Sequence, residues 1–163
     1  MPINYSNIND AKALKDLYQL IAASSNTLGM LPEECTLEHF EQVIEKSNDY
    51  GIIIGADEDQ KLIGFVYAYK LNLKLFDHML SNMAIGVHPQ YQRQGIAKNL
   101  LEKFFEAVDQ EQSIIRVELI AAANPSAIKL YENFGFKKEG TLAKRATLHN
   151  KLVDNIAMAW LKD

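Results

Sequence analysis

The chain has 163 residues, 48% hydrophobic and 23% charged, which suits one folded domain over 1–163 and excludes a disordered or fibrous chain. Its 17 Lys and Arg against 21 Asp and Glu leave a formal net charge of −4, which speaks against a dedicated nucleic-acid binder. Cys35 is the one cysteine, so no intramolecular disulfide forms and a reducing, cytoplasmic setting is expected; no apolar run reaches the roughly 18 residues of a membrane span, and no signal-peptide pattern opens the chain.

Ala11 to Ala22 places Leu14, Leu17, Tyr18 and Ile21 at i, i+3, i+4, i+7 spacing behind Asn9 or Asp10 as cap, which predicts an amphipathic helix. Residues 23–36, with Gly29, Pro32 and small polar side chains, read as a loop. A shorter helix is predicted after Thr36, with Leu37, Phe40, Val43 and Ile44 turned inward. Tyr50–Ala56 and Lys61–Leu71 read as a hairpin across Asp57-Glu58-Asp59-Gln60. In its second strand Ile63, Phe65, Tyr67, Tyr69 and Leu71 alternate with Gly64, Val66 and Ala68, so both faces are expected to be covered.

A further strand runs from about His78 to Val87 and stops at His88-Pro89. The clearest helical stripe follows over Ala97–Val108, with apolar residues at 97, 100, 101, 104, 105 and 108. Ile114–Ala121 sets Ile115, Val117 and Leu119 against Arg116 and Glu118, a strand alternation. Asn124-Pro125-Ser126 opens another helix that Gly135 closes. Lys137–Leu148 and Leu152–Lys162 pair across His149-Asn150-Lys151. The order predicts an α/β (α+β) fold with a central, mostly antiparallel sheet and helices on both faces.

The chemically informative segment is Val87–Leu101, VHPQYQRQGIAKNLL. A strand ends, Gly95 sits in a short loop, and the strongest helix begins. A helix start offers unpaired N–H groups and the positive end of the helix dipole, and Arg93 and Lys98 add charge. This arrangement suits phosphate or pyrophosphate, although a turn glycine flanked by solvated basic side chains would give the same pattern. Neither a P-loop Gly-Lys-Ser/Thr nor a Rossmann glycine fingerprint is present.

Gln92-Arg93-Gln94-Gly95-Ile96-Ala97 resembles the Q/R-x-x-G-x-G/A signature of the GCN5-related N-acetyltransferases (GNAT), placed as in that family between a strand and a long helix. Asn124-x-x-Ala127-x-x-x-Tyr131-x-x-x-Gly135-Phe136 is similar to a second family element. The ending Glu139-Gly140-Thr141, Val153-Asp154 and Met158 resembles the closing hairpin of bacterial L-amino-acid N-acetyltransferases. Together these cover roughly residues 80–163.

The resemblance implies a mixed sheet of six to seven strands with one splayed pair and about four helices. It implies acetyl-CoA as donor and a small-molecule amine or amino acid as acceptor, in a homodimer, with no nucleic-acid or membrane partner and no metal. The pyrophosphate would sit on Gln92, Arg93, Gln94, Gly95, Ile96, Ala97 and Lys98, the pantetheine arm beside Ile85, Gly86 and Val87, and Asn124 would face it. Gly86 is expected to allow the arm's close approach. Tyr131 would protonate the leaving thiolate, although its i, i+3, i+4, i+7 stripe with Ala127, Leu130 and Phe134 otherwise reads as core.

Where relatives often carry a basic glutamate, this chain has Asn82. Asp77, Glu33, His78 and His88 are the alternatives, with His88 expected to be exposed, and the base stays unassigned. Cys35 as an acyl-accepting nucleophile is a minor alternative. His39, His78, His88 and His149 have no metal-ligand spacing. The acceptor pocket is expected at residues 24–36 and around Lys144–His149, where Lys144 and Arg145 either hold a carboxylate, lie solvated on the strand edge or meet a dimer partner. A protein or peptide N-acetyltransferase and a non-catalytic acyl-CoA-binding module are the rival readings.

Overall fold

The expected alternations and stripes resolve into seven strands and four α-helices in a computed structural model that describes residues 2–25 and 28–163. In chain order they are β1 (Asn4–Ser6), α1 (Ala11–Ser24), α2 (Leu37–Tyr50), β2 (Gly51–Glu58), β3 (Lys61–Tyr69), β4 (Met79–Val87), α3 (Ile96–Gln110), β5 (Arg116–Ala122), α4 (Pro125–Asn133), β6 (Lys137–Leu148) and β7 (Lys151–Leu161). The strands form one sheet in the order β1-β2-β3-β4-β5-β7-β6, antiparallel throughout except between β4 and β5.

Local chemistry sets most boundaries. Asp10 accepts the Ala13 amide at 3.0 Å and Thr36 accepts the His39 amide at 3.2 Å, capping α1 and α2. The β2–β3 hairpin turns on Asp59 and Gln60 alone, both left-handed (φ 51° and 68°), a two-residue turn matched to strand twist. Strand β2 therefore runs on to Glu58, past the expected end at Ala56, and the connection is shorter than the four-residue turn expected. Helix α2 equals α1 in length at 14 residues, and Leu37, expected inward, points out from its first turn and is 46% exposed. Ile115, also expected inward, lies outside β5 and is exposed; Ile114, Val117, Leu119 and Ala121 are buried instead. The three-residue β1 on the sheet edge is too short to show a period.

Two cores sandwich the sheet. On one face Val66, Ala68, Leu80, Val117 and Leu119 pack against Leu100, Leu101, Phe104 and Val108 of α3. On the other, Phe65 and Tyr67 meet Leu14, Tyr18 and Ile21 of α1 and Phe40 and Val43 of α2, with Tyr18 ring centres 5.0 Å from Phe40 and 5.7 Å from Phe65. Strand β3 is thus buried on both faces, as its sequence predicts. Burying Phe65 or Phe40 alone is worth about 2–3 kcal/mol.

The sheet opens in one place. Only Met79↔Arg116 and Leu80↔Val117 join β4 to β5. Beyond them β4 pairs with β3 alone and β5 with β7 alone, leaving a wedge between the two. Asn82 (φ 55°) stands at the parting point, where the β3–β4 register jumps from Tyr69↔Ser81 to Tyr67↔Ala84. A bulge of this kind bends the strand and raises its twist, which carries β4 away from its parallel neighbour.

Candidate active site

The wedge leads along β4 to the loop before α3. His88 donates its amide to Ile63 O at 2.7 Å and accepts the Gln90 amide on Nδ1 at 3.1 Å. Tyr91 Oη donates to Glu58 at 3.1 Å, and Gln92 Nε2 to Val87 O at 3.3 Å. The loop is therefore tied to β4 and to the β2–β3 hairpin. His88, expected to be exposed, is buried because its ring packs edge-on against Tyr91 at 5.4 Å. Burial and Lys61 lower its pKa, which keeps the imidazole neutral and able to accept.

Arg93 (φ 64°) and Gly95 (φ 79°) turn the chain into α3. Gly95 caps the helix with no side chain of its own; Asn99 N reaches Gly95 O at 3.0 Å. Among the described residues the amides of Ile96, Ala97 and Lys98 have no acceptor. A Cβ placed on Gly95 would meet nothing within 4 Å, so the space above the helix end is open. Gln92, Arg93, Gln94, Gly95 and Lys98 are exposed, Ala97 is half-buried, and Ile96 is buried with its side chain in the α3 core. Only the backbone of Ile96 faces the site. Arg93 and Lys98 have no ion pair among the described residues. Unpaired amides, the helix dipole and two free cations fit a pyrophosphate.

Ile85 and Val87 turn toward the α3 core and Gly86 toward α1. A Cβ on Gly86 would lie 2.9 Å from Ile21 Cδ1 and from Phe65 Cε1, so packing on the α1 face accounts for this glycine. A ligand's approach is not needed to explain it. Asn124 Oδ1 caps α4 by accepting the Ser126 and Ala127 amides at 2.9 and 3.4 Å, which leaves its Nδ2 as the free donor.

Tyr131 packs edge-on against Phe136 at 5.7 Å on the α3 side of the sheet. No residue of α4 is fully buried, so its apolar stripe is only half core. The Tyr131 hydroxyl makes no hydrogen bond among the described residues, and burial pushes its pKa up to about 12. It is a protonated donor at neutral pH.

On the opposite face, Tyr69, Ser81 and Glu118 form a row across β3, β4 and β5. Ser81 Oγ donates to Glu118 Oε2 at 3.4 Å, and Arg116 Nε donates to Glu118 Oε1 at 3.1 Å. Arg116 also grips Glu139 through both terminal nitrogens at 2.9 and 2.7 Å, which holds the Glu139 carboxyl below its usual pKa. The sequence gives Glu118 no distinguishing mark, because a polar residue between Val117 and Leu119 looks like any solvent-facing strand position.

The expected bases are scattered. Asp77 is exposed and paired with Lys70 at 3.3 Å, Glu33 lies exposed in a 3-10 turn, and His78 and Asn82 are exposed. The buried Cys35 thiol donates to Leu31 O at 3.6 Å, and burial raises its pKa, which makes it a poor nucleophile. A cleft of about 360 Å³ between Ala22, Leu31, Pro32, Thr147, Leu148 and His149 joins the two segments expected to form the acceptor pocket. Asn26 and Thr27 of the first segment lie outside the described residues. Arg145 is engaged across the hairpin with Asn155 Oδ1 at 3.0 Å, and the Lys144 amide donates to Asp154 at 2.8 Å.

The profile of the acetyltransferase (GNAT) family matches residues 14–136. The chain is 29% identical to the spermidine N(1)-acetyltransferase of Vibrio cholerae serotype O1 over 102 residues, 60% of this chain and 56% of that one. It is 32% identical to the L-amino acid N-acetyltransferase AaaT of Escherichia coli (strain K12) over 84 residues, 51% of this chain and 52% of that one. It therefore spans about half the length of these curated relatives. Among solved structures, yncA from Salmonella typhimurium with its cofactor acetyl-CoA superposes with a TM-score of 0.88 at 13% identity, covering 100% of this chain and 95% of that one.

Proposed function

Because the chain belongs to the acetyltransferase (GNAT) family, we propose that it moves an acetyl group from acetyl-CoA to a primary amine of a small molecule or amino acid, by direct attack with both bound. The observation that carries this reading is the continuity of two open features along β4: the wedge against β5 at one end and the unpaired amides of α3 at the other. The two named relatives act, by their names, on spermidine and on L-amino acids, both small amines, which supports the acceptor class. The same reading takes 1–163 as one catalytic domain acting in the cytoplasm as a homodimer.

Acetyl-CoA, when bound, supplies a thioester carbonyl open to attack by an amine. The amides of Gly95, Ile96, Ala97 and Lys98 would hold its pyrophosphate, with Gln92 and Gln94 completing the loop and Arg93 and Lys98 supplying charge. Ile85, Gly86 and Val87 would present the free edge of β4 to the pantetheine arm as to an added strand, and Asn124 Nδ2 would donate from the other side. Amides of that edge would polarise the carbonyl in place of water. Holding the amine and carbonyl in near-attack geometry would supply much of the rate. Tyr131 would give its proton to the leaving sulfur.

Acetyl-CoA at a hundredfold excess over its Kd adds about 2.7 kcal/mol of stability, a rise in Tm of roughly 5–10 °C for a chain of this size. Differential scanning fluorimetry is expected to show that rise. An unmoved Tm at saturating acetyl-CoA would overturn the reading.

A further inference from the structure

We propose that the open edge of β2 at Gly51–Ile54 binds an extended, basic peptide segment as an added strand, at a site separate from the wedge and independent of the acetyl-transfer reading. Strand β1 covers only part of this edge: Asn4, Tyr5 and Ser6 pair with Asp57, Ala56 and Gly55, and the chain then leaves toward α1. Among the described residues Gly51, Ile52, Ile53 and Ile54 have β3 on one side and no strand on the other. Every second residue of a strand turns its N–H and C=O to the same edge, so this stretch offers two donors and two acceptors at ladder spacing. Exposed edges are normally blunted by Lys, Pro, a charge or a bulge. This one reads Gly-Ile-Ile-Ile and carries none of them.

The edge is the floor of a slot of about 320 Å³, walled by Ser47 and Asn48 at the end of α2 and by Ala107, Gln110 and Glu111 around the end of α3, with Asn7 where β1 departs. Helices α2 and α3 pack on opposite faces of the sheet, so the edge is recessed between them. A lone strand reaches it, whereas the β2 edge of a second copy, recessed in the same way, does not. Two observations say what that strand carries. Ser47 is 1% exposed, and among the described residues its Oγ is the one buried side-chain oxygen or nitrogen without a hydrogen-bond partner. Such a hydroxyl costs stability until a polar group in the slot satisfies it. Charge is the second. Both helices turn the negative ends of their dipoles here, and neither has a basic residue in its last turn. Asp49 and Asp109 stand there instead, and Glu111 follows without an ion pair among the described residues, which inverts the usual placement. Lys46 lies over the Tyr69 ring at 5.7 Å and Lys162 Nζ donates to the Glu111 carbonyl at 3.4 Å, so neither pairs with these carboxylates. An incoming basic side chain complements them, and the edge supplies the main-chain bonds.

The probe is a hexapeptide of alternating Val and Arg, capped at both ends, which has no primary amine to offer the wedge. Binding to the ¹⁵N-labelled full chain is followed by amide chemical shifts at low salt. Saturable shifts centred on residues 51–54 and Ser47 are expected, and none with the matching Val-Glu peptide. The same Val-Arg peptide N-methylated at every residue keeps its charge but donates no main-chain bond, and it is expected to bind about tenfold or more weakly. Ser47→Ala should weaken binding of the parent peptide without lowering the Tm of the free protein. The proposal is overturned by absence of saturable shifts, by shifts centred on the β4–β5 wedge, or by equal binding of the N-methylated and parent peptides, which would mean charge alone. An unchanged affinity in Ser47→Ala would overturn it as well.

Discussion

Burial raises the Tyr131 pKa with no contribution from a charged neighbour among the described residues. With a pKa pushed up to about 12, the hydroxyl keeps its proton below that pH and loses it above, so the donor fails only in strong alkali. The rate of wild type is therefore expected to show no alkaline fall from this group below about pH 11. Tyr131→Phe should lower kcat about 100-fold while leaving the acetyl-CoA Tm rise unchanged, as steady-state kinetics and fluorimetry would read. An unchanged kcat would return Tyr131 to the core stripe. The role proposed for this residue is legible only through the family motif, because its spacing with Ala127, Leu130 and Phe134 is also that of ordinary packing. The surroundings of Glu118 were not legible: alternation reports which face a side chain takes, not whether solvent or a wedge lies on that face. His88 was misread for a related reason, since its burial depends on Tyr91 folding back over it.

Among the elements, the strand–loop–helix unit of β4 and α3 carries two glycines with different duties. Gly95 is left-handed in open space, whereas Gly86 has ordinary strand geometry and a crowded Cβ position. Gly95→Ala is expected to cost about 1–2 kcal/mol of stability through backbone strain, and to weaken acetyl-CoA binding because the loop no longer presents its amides. Gly86→Ala is expected to cost about 1–3 kcal/mol through overpacking against Ile21 and Phe65. Urea denaturation of both variants, with and without acetyl-CoA, separates the effects: the ligand increment should shrink more for Gly95→Ala. A larger loss of increment in Gly86→Ala would contradict the assignment of the loop. Most elements were readable because their periods were unambiguous, α3 by its stripe and β3 by its two covered faces. The parting of β4 from β5 was not readable from either strand, since it arises from a register jump at Asn82 between partners distant in sequence.

At the scale of the whole molecule, a chain of net charge −4 suits an anionic donor because local geometry outweighs net charge. Among the described residues three unpaired amides, the helix dipole, and Arg93 and Lys98 without ion pairs gather at the start of α3, and contacts well inside the screening length of about 8 Å are little weakened by salt. Among the described residues no helix is long and apolar enough to cross a membrane. The two faces of the sheet differ: Tyr131 packs on the α3 side, and the cleft reaching the β6–β7 hairpin is lined from α1 on the other. The most direct measurement is thiol release from acetyl-CoA by wild type across a panel of spermidine, L-amino acids and simple alkylamines, with mass spectrometry of the products. The account predicts amine-dependent release with one acetamide formed per thiol. Firm acetyl-CoA binding without release for any amine would contradict it.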